Sequence, residues 1–431
     1  MPLFGRKKKE PIVEVEPPKP TLPQGPETDE HGLRDHAAHR DYLLSLVEPL
    51  PPFGMQLLDA LGLALCEEIT AHSDLPRLSL ATEAGYAVRS DEVAAASNDE
   101  PLEFAVVDVA PGRELPEGSV ARVEANGQLP EGADAVLPLP FTDRGEQSVK
   151  VFEPVRSGEY VVGRGSDVSD GDVLVREGQL LDARSAGLLA ALGFDKVLAR
   201  PRPRVVVLSV GGSLVEPGRR LTSDDQVHDA NGYMIAAAAK EAGCQVWRVG
   251  VVSNDPAEIR ETISDQLIRA DLIISTGGVA DGSDDLVREV LPELGLTDFA
   301  RVALRPGGDQ GFGLIGDDKV PMLMLPARPL GAFVSFELFA RPLIRALMGV
   351  EPAVQPLVRA ITPTVLRSPA GVTTVLPARV RDETGVHRVE VIGGGESQRL
   401  SDLATANALV VLDAETEVVT AGGSVRCVLL G

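Results

Sequence analysis

The chain has 431 residues, beyond the roughly 250–300 at which a single core stops growing, so several domains are expected. With 44% hydrophobic and 24% charged residues it has the make-up of a soluble globular protein, and no apolar run approaches the ~20 residues that span a bilayer. A formal charge of -23 disfavours nucleic acid and anionic membrane as partners and means that an anionic ligand needs a local positive site.

Cys66, Cys244 and Cys427 lie far apart, with no CxxC pair. That argues against a disulfide framework or zinc site and fits a reducing cytoplasm. Residues 1–32 read as a disordered, proline-rich tail with a basic start at Arg6, Lys7, Lys8 and Lys9. No apolar stretch follows that start, so it is not a secretory signal. From Asp35 to Ile69 apolar residues recur at helical spacing on both sides of Pro49, Pro51 and Pro52, which predicts two helices. Residues 71–162 are short β-rich runs broken by Pro and Gly, the pattern of a β-rich lobe. The stretch 163–200 is mixed and ends in a helix near Ala183–Leu192 closed by Gly193; with 33–70 it is assigned to one helical/mixed domain.

From 201 to 349 buried strands alternate with helices: RVVVLSV, NGYMIAAAAKEAG, QVWRVGVV, DPAEIRETISDQLIRA, DLIISTGG and DDLVREVLPEL. This predicts parallel βαβ units in a central, open, mostly parallel α/β domain. Ligands in such sheets sit beyond the carboxyl ends of the strands, here Ser209–Ser213 and Ser275–Asp285. Residues 350–431 hold five short strands at regular spacing, which suggests a small C-terminal β-barrel. The expected class is α/β plus β.

Three loops carry candidate chemistry. In STGGVADGSDD, Gly277, Gly278 and Gly282 lie between a buried strand and a helix, where the backbone can approach a phosphate or nucleotide closely; a tight turn explains them as well. In VALRPGGDQGFG, Arg305 is a candidate phosphate or carboxylate clamp, or a surface ion pair. In VHDANGYM, Asp229 and Asn231 precede a helix; capping is favoured on spacing, with ribose or metal contact the sharper alternative.

The ordered set GYAVR, LPEGADAV, GRGSD, the Asp-x-Asn helix start, STGGV…G, RPG, LPxxP and SDLATANALVVL resembles the molybdopterin molybdotransferase family, which includes MoeA and the gephyrin E domain, over residues 40–431. The resemblance implies an elongated, four-domain chain that forms a homodimer. Its active site would lie between the central α/β domain and a neighbouring subunit. It also implies a reaction that inserts molybdate into adenylylated molybdopterin with magnesium, releasing AMP. The retained positions are Asp285 and Arg305 as catalytic residues; Gly277, Gly278, Gly282, Asp229, Asn231, Pro306, Gly307, Pro326, Pro329 and Ser401 as ligand-binding residues; and Asp229 and Asp285 as metal ligands if the site is active.

Several family positions are replaced. Ala84, Gly212, Ser213 and Ser283 stand where the family has acids, Ala125 where it has Thr, Ser166 where it has Glu and Gly308 where it has Lys. Its LPGNP is LPARP, with Ala327 and Arg328 in the middle. Neutral residues cannot replace carboxylates as magnesium ligands or proton acceptors, and losing one charge partner typically costs about 10²–10³ in rate. The expectation is a family member with weakened or lost catalysis, a gephyrin-like scaffold holding a peptide of a cytoskeletal or cell-division partner. The alternatives are an active enzyme in which Glu83, Glu124, Asp281, Asp284 or Asp309 substitutes, and a non-catalytic pterin or nucleotide carrier.

Overall fold

The computed structural model describes residues 21–110, 112–279, 286–393 and 399–430. They form two compact units, one from residues 21–51 with the described residues from 201 to 430, the other from the described residues of 52–200. Of the stretch read as a free tail, residues 1–20 with Arg6–Lys9 lie outside the described residues. The remainder is tied down. Tyr42 Oη donates to the Pro23 carbonyl at 2.9 Å, Asp29 accepts from the His31 and Leu33 amides, and Thr28 bridges Arg34.

Helix α1 (His36–Ser45) starts where Asp35 accepts from the amides of Ala37 and Ala38. His39 on its buried face is 2% exposed and packs edge-on against Phe339. Burial pushes its imidazole down to about 4; Arg34 adds to this, against a smaller pull from Asp298. Between about pH 6.5 and 4 the unfolded chain takes up a proton that the folded chain refuses, so stability falls as pH drops through that window, by up to about 3 kcal/mol. Urea titrations from pH 7 to 4 should show His39→Leu with a flatter pH dependence than the unaltered chain; equal slopes would dismiss the effect.

The second helix expected before Ile69 does not form. Phe53–Gln56 is a strand, β1, followed by turns. Its apolar residues do not share one buried helical face: Ala60, Leu63, Ala64 and Leu65 are buried, while Phe53, Leu58 and Leu61 are 51%, 83% and 42% exposed. Gly62 at φ +78° closes the turn. The backbone of β1 is satisfied by Lys196–Ala199 at the far end of the unit, a partner invisible to local periodicity.

The rest of the 52–200 unit centres on a five-stranded mixed sheet. Its strands are β2 (Gly85–Val88), β3 (Leu102–Val107), β4 (Ser119–Val123), β5 (Ala135–Pro138) and β6 (Ser148–Val151), in the order β5-β2-β4-β3-β6. Tyr86, Val120, Leu137, Val149 and Val151 form its core. Helix α2 (Ala183–Ala191) is capped by Asp182 and stops before Gly193, whose φ of +89° suits glycine.

The larger unit contains the open sheet expected from the sequence. Strands β7 (Arg204–Val210), β8 (Gln245–Val252), β9 (Leu272–Thr276) and β10 (Val320–Leu325) run parallel in the order β8-β7-β9-β10. Asp309–Ile315 and Gly295–Arg301 extend it antiparallel. Helices α3 (Asn231–Glu241), α4 (Pro256–Leu267) and α5 (Leu286–Leu294) link or flank the strands. Asp255 caps α4 ahead of Pro256, as its sequence position predicts. A continuous helical segment follows β10, from α6 (Pro329–Ser335) through a π-helical turn at Phe336–Ala340 to α7 (Arg341–Leu347).

The C-terminal strands close into a five-stranded barrel. Thr373–Glu383 pairs with both Val386–Val391 and Ala408–Leu412, and the ring is completed through Val358–Ile361 and Ser424–Leu429. Leu376, Ala378, Val410, Val425 and Cys427 fill it. Among the described residues no helix is long and apolar enough to cross a membrane.

Candidate functional site

The carboxyl ends of β7 and β9 are stitched together by polar groups. Thr276 Oγ1 donates to Ser209 Oγ at 3.2 Å, and Ser209 Oγ donates to Asp229 Oδ1 at 3.0 Å. Asp229, one residue before the N-cap Ala230, also accepts the Gly232 amide at 2.9 Å, which satisfies a first-turn donor of α3. Arg248 reaches Asp229 Oδ2 at 3.4 Å while forming a two-pronged pair with Glu216 at 2.6 and 3.0 Å, and it stacks over the Tyr233 ring at 4.2 Å. The Arg248 guanidinium holds the Glu216 carboxyl below the usual range. Asp229 is 2% exposed and its oxygens are committed to these donors. The sequence favoured this capping role over a metal or ribose contact.

Asn231 bolts α3 to the LPARP loop: its Nδ2 donates to the Ala327 carbonyl at 2.7 Å. The loop faces the RPGGD turn across a cavity of about 420 Å³ lined by Gly278, Val279, Pro306, Gly307, Gly308, Asp309, Pro326, Ala327, Arg328 and Gly331. Thus Gly278, Pro306, Gly307, Gly308 and Pro326, singled out from three separate loops, meet in one place, with Pro329 at the start of α6 beside them. The volume lies within the ~300–1,000 Å³ of small-molecule sites.

Close packing accounts for the glycines. Gly277 and Gly278 have φ of +87° and +76°, and a Cβ on them would sit 2.6 Å from the Val210 carbonyl oxygen or 2.5 Å from Val287. Gly307, at φ +99°, backs onto Gly331 and Ser335. Buried Gln310 pins this turn by donating to the Gly307 carbonyl at 2.6 Å and to Ser335 Oγ at 2.7 Å. Gln310, Ser335, Ser209 and Thr276 were missed in the sequence. Single hydroxyls and amides at strand ends carry no pattern until their partners are known.

Other expected residues lie elsewhere. Gly282, Ser283 and Asp285, with Asp281 and Asp284, lie outside the described residues. Arg305 is half-buried in a two-residue strand, Leu304–Arg305, that pairs with Thr373–Thr374 of the barrel. It does not line the cavity. Ser401 is exposed on the short helix Leu400–Thr405, whose Leu400 and Leu403 line a different, mostly apolar cavity with Met234 and Phe333. Gly212 and Ser213 are exposed in the loop after β7. Among the described residues no three His, Cys, Asp or Glu side chains gather as a metal site.

Within the 52–200 unit, the segments carrying Ala84, Ala125 and Ser166 come together. Leu80–Ala81 pairs with Val161–Val162, and Ala81 exchanges backbone hydrogen bonds with Asn126 and Gly127. Beside them a cavity of about 570 Å³ is lined by His72, Asp74, Arg77, Gln128, Arg164 and Asp170. Arg164 pairs there with Asp74 at 2.5 Å, and the Asp170 amide, followed by Arg164, holds the Asp74 carboxyl down.

An open α/β sheet with a glycine-walled cavity at its strand ends, followed by a small β-barrel, defines a multi-domain α/β-plus-β protein with a small-molecule site. Residues 35–193 match the MoeA N-terminal region (domains I and II), 206–346 a probable molybdopterin binding domain and 359–430 the MoeA C-terminal region (domain IV). The chain is similar to molybdopterin molybdenumtransferase 1 of Mycobacterium tuberculosis, 39% identical over 396 residues that cover 86% of this chain and 93% of that protein. It is 28% identical to the Bacillus subtilis molybdopterin molybdenumtransferase over 87% of this chain and 89% of that one. The solved structure of the molybdopterin biosynthesis MoeA protein from Pyrococcus horikosii superposes with a TM-score of 0.78 at 26% identity, covering 92% of this chain and 99% of that one. This chain belongs to the MoeA-type molybdopterin molybdotransferase family of molybdenum cofactor biosynthesis.

Proposed function

We propose that this protein is a family member with weakened transferase chemistry that works in the cytoplasm as a dimeric scaffold and seats an acidic, partly apolar peptide of another protein. The observation that carries this reading is a further cavity, of about 250 Å³, lined by α1, the helical segment ending in α7, residues 353–357 and the barrel. Arg40, Arg341, Arg345 and Arg426 line it against the single carboxylate of Glu337, with Leu338, Leu357, Val411 and Val428 as apolar wall. In a chain with 64 acidic and 41 basic residues, four guanidiniums gather in one concave site; Arg40 pairs with Asp41, Arg341 with Glu337 and Arg426 with Asp413, which leaves Arg345 without a carboxylate partner among the described residues. Burial, then the neighbouring Arg341 charge, pushes the Arg345 guanidinium down. Arg345 donates to the Pro352 and Ala353 carbonyls, so an incoming carboxylate would relieve it.

The weakened-chemistry part rests on the neutral residues at Gly212, Ser213 and Gly308. The described groups do not fit magnesium by themselves, and no step through the ion follows from them. The second reading is an active molybdotransferase acting on adenylylated molybdopterin with molybdate. It is favoured by the intact cavity at the strand ends and by relatives named as transferases.

Two measurements separate these readings. Affinity capture from the native cell should retain a partner whose binding weakens with salt and drops at least tenfold in Arg345→Glu, while AMP release from adenylylated molybdopterin runs far below that of the 39%-identical relative. Release at the relative's rate, with capture indifferent to Arg345→Glu, would establish the enzyme and remove the scaffold.

A further inference from the structure

We propose that the chain carries its own occupant for the arginine-lined cavity: residues 10–16, EPIVEVE, dock there in cis and compete with an outside peptide. The inference rests on that cavity being a seat for an acidic, partly apolar peptide, and it adds the regulation of the seat.

Residues 10–16 lie outside the described residues, but their chemistry is written in the sequence. Glu10, Glu14 and Glu16 are interleaved with Ile12, Val13 and Val15. The cavity offers the complement of both: guanidiniums of Arg40, Arg341, Arg345 and Arg426, with Leu357 and Val428 on its apolar wall. Arg345 spends its nitrogens on the Pro352 and Ala353 carbonyls; a carboxylate makes the stronger, charge-assisted bond. The comparable run VHRVEV is already spent as a barrel strand, Val386–Val391. The basic residues 6–9 lie beyond the acidic run, away from the tether, and the arginines repel them.

The tether singles out this segment. Its anchor lies on the helix that lines the cavity: Tyr42 of α1 donates to the Pro23 carbonyl at 2.9 Å, and the same helix presents His36, Ala37 and Arg40 to the cavity. Arg34 fixes the strap between them, pairing with Asp298 at 2.9 Å and lying over the Tyr42 ring at 5.8 Å. Tyr42 and His36 are separated by ~9 Å along the helix axis, and the helix with its side chains is ~10–12 Å across. The stretch from Glu16 to Pro23 spans up to ~25 Å when extended, enough to pass along and around α1. A short tether of this kind holds its end at ~1 mM effective concentration, so an intrinsic Kd of ~0.1 mM weakens an outside peptide about tenfold. Pro17, Pro18 and Pro20 in the tether reduce the chain freedom that docking would cost.

Fluorescence anisotropy with a labelled synthetic peptide of residues 9–18, KEPIVEVEPP, measures the competition on the full chain. The variant Glu14→Lys with Glu16→Lys should bind the peptide about tenfold tighter than the unaltered chain, because its own segment is repelled from the seat. Val13→Ser with Val15→Ser should shift binding the same way through lost apolar contact. Adding Arg345→Gln to the Glu14→Lys, Glu16→Lys chain should weaken the peptide at least tenfold, which ties it to this cavity. Arg40→Gln on α1 gives the same reading should Arg345→Gln unfold. Equal binding by the unaltered and Glu14→Lys, Glu16→Lys chains, still lost in Arg345→Gln, overturns the cis occupant and leaves the cavity a peptide seat. Absence of binding to the Glu14→Lys, Glu16→Lys chain overturns the inference, while partner capture that depends on Arg345 still decides the scaffold reading by itself.

Discussion

Replacing Glu337 by Gln is expected to remove about 3–5 kcal/mol of stability, because it strands a buried guanidinium. The Glu337 carboxylate, 1% exposed, takes two hydrogen bonds from Arg341, at 2.7 and 2.8 Å, one turn on along the same helical segment. Arg341 is itself 15% exposed, against the Phe336 ring. Burial works against its charge, but the hydrogen bonds and attraction of Glu337 more than offset that, and its pKa moves up. Glutamine keeps the shape and loses the charge, so Arg341 keeps its desolvation cost without its main compensation. Urea unfolding at pH 7 measures the loss, and the double change Glu337→Gln with Arg341→Met should recover much of it by removing the stranded charge. A loss below about 1 kcal/mol would mean that water reaches the pair. The same substitution removes the one carboxylate from the arginine-lined cavity. The molecules that remain folded should therefore hold an acidic peptide more tightly, a trade of stability for affinity that a purely structural pair would not show.

Asp229→Ala should cost about 3 kcal/mol, since one charged acceptor serves several donors at once. The Gly232 amide and Ser209 lose their acceptor, and Arg248 keeps Glu216 as its one carboxylate, beside Tyr233. Because α3 also carries Asn231, which pins the Ala327 carbonyl, the loosened helix start should free that wall of the neighbouring cavity as well. Asp229→Asn separates the two roles that the sequence left open. An amide oxygen still accepts from Gly232 and Ser209, so a capping residue should retain more than half of the stability that alanine loses. A metal ligand would instead show near-normal stability with magnesium-dependent activity abolished. Denaturation midpoints beside AMP release at graded magnesium decide between them.

Local patterns sufficed where an element's character is set by its own residues. RVVVLSV and DLIISTGG are buried strands because their apolar runs cannot be solvated on either face. Asp255-Pro256 starts a helix because carboxylate and ring both suit a first turn. The five C-terminal strands were countable from their spacing. The region after Pro52 misled the same reasoning: Phe53, Leu58 and Leu61 imitate a helical stripe, yet the segment begins as a strand because Lys196–Ala199 lies alongside to pair with it.

The candidate site divides in the same way. Residue types and motif order pointed to the glycine and proline turns that wall the cavity, since backbone conformation is written into Gly278, Pro306, Gly307 and Pro326 one residue at a time. The arrangement of charge was not written that way. Whether Asp229 faces a metal or Gly232 and whether Arg305 enters the cavity or joins the barrel edge depend on groups distant in the chain. Coulomb and hydrogen-bond energies act over a few ångströms of space, whatever the separation along the sequence. The amino-acid sequence by itself therefore determined the elements, the family and the loops, and only the tertiary structure decided which charges are already paired and which remain free to meet a ligand.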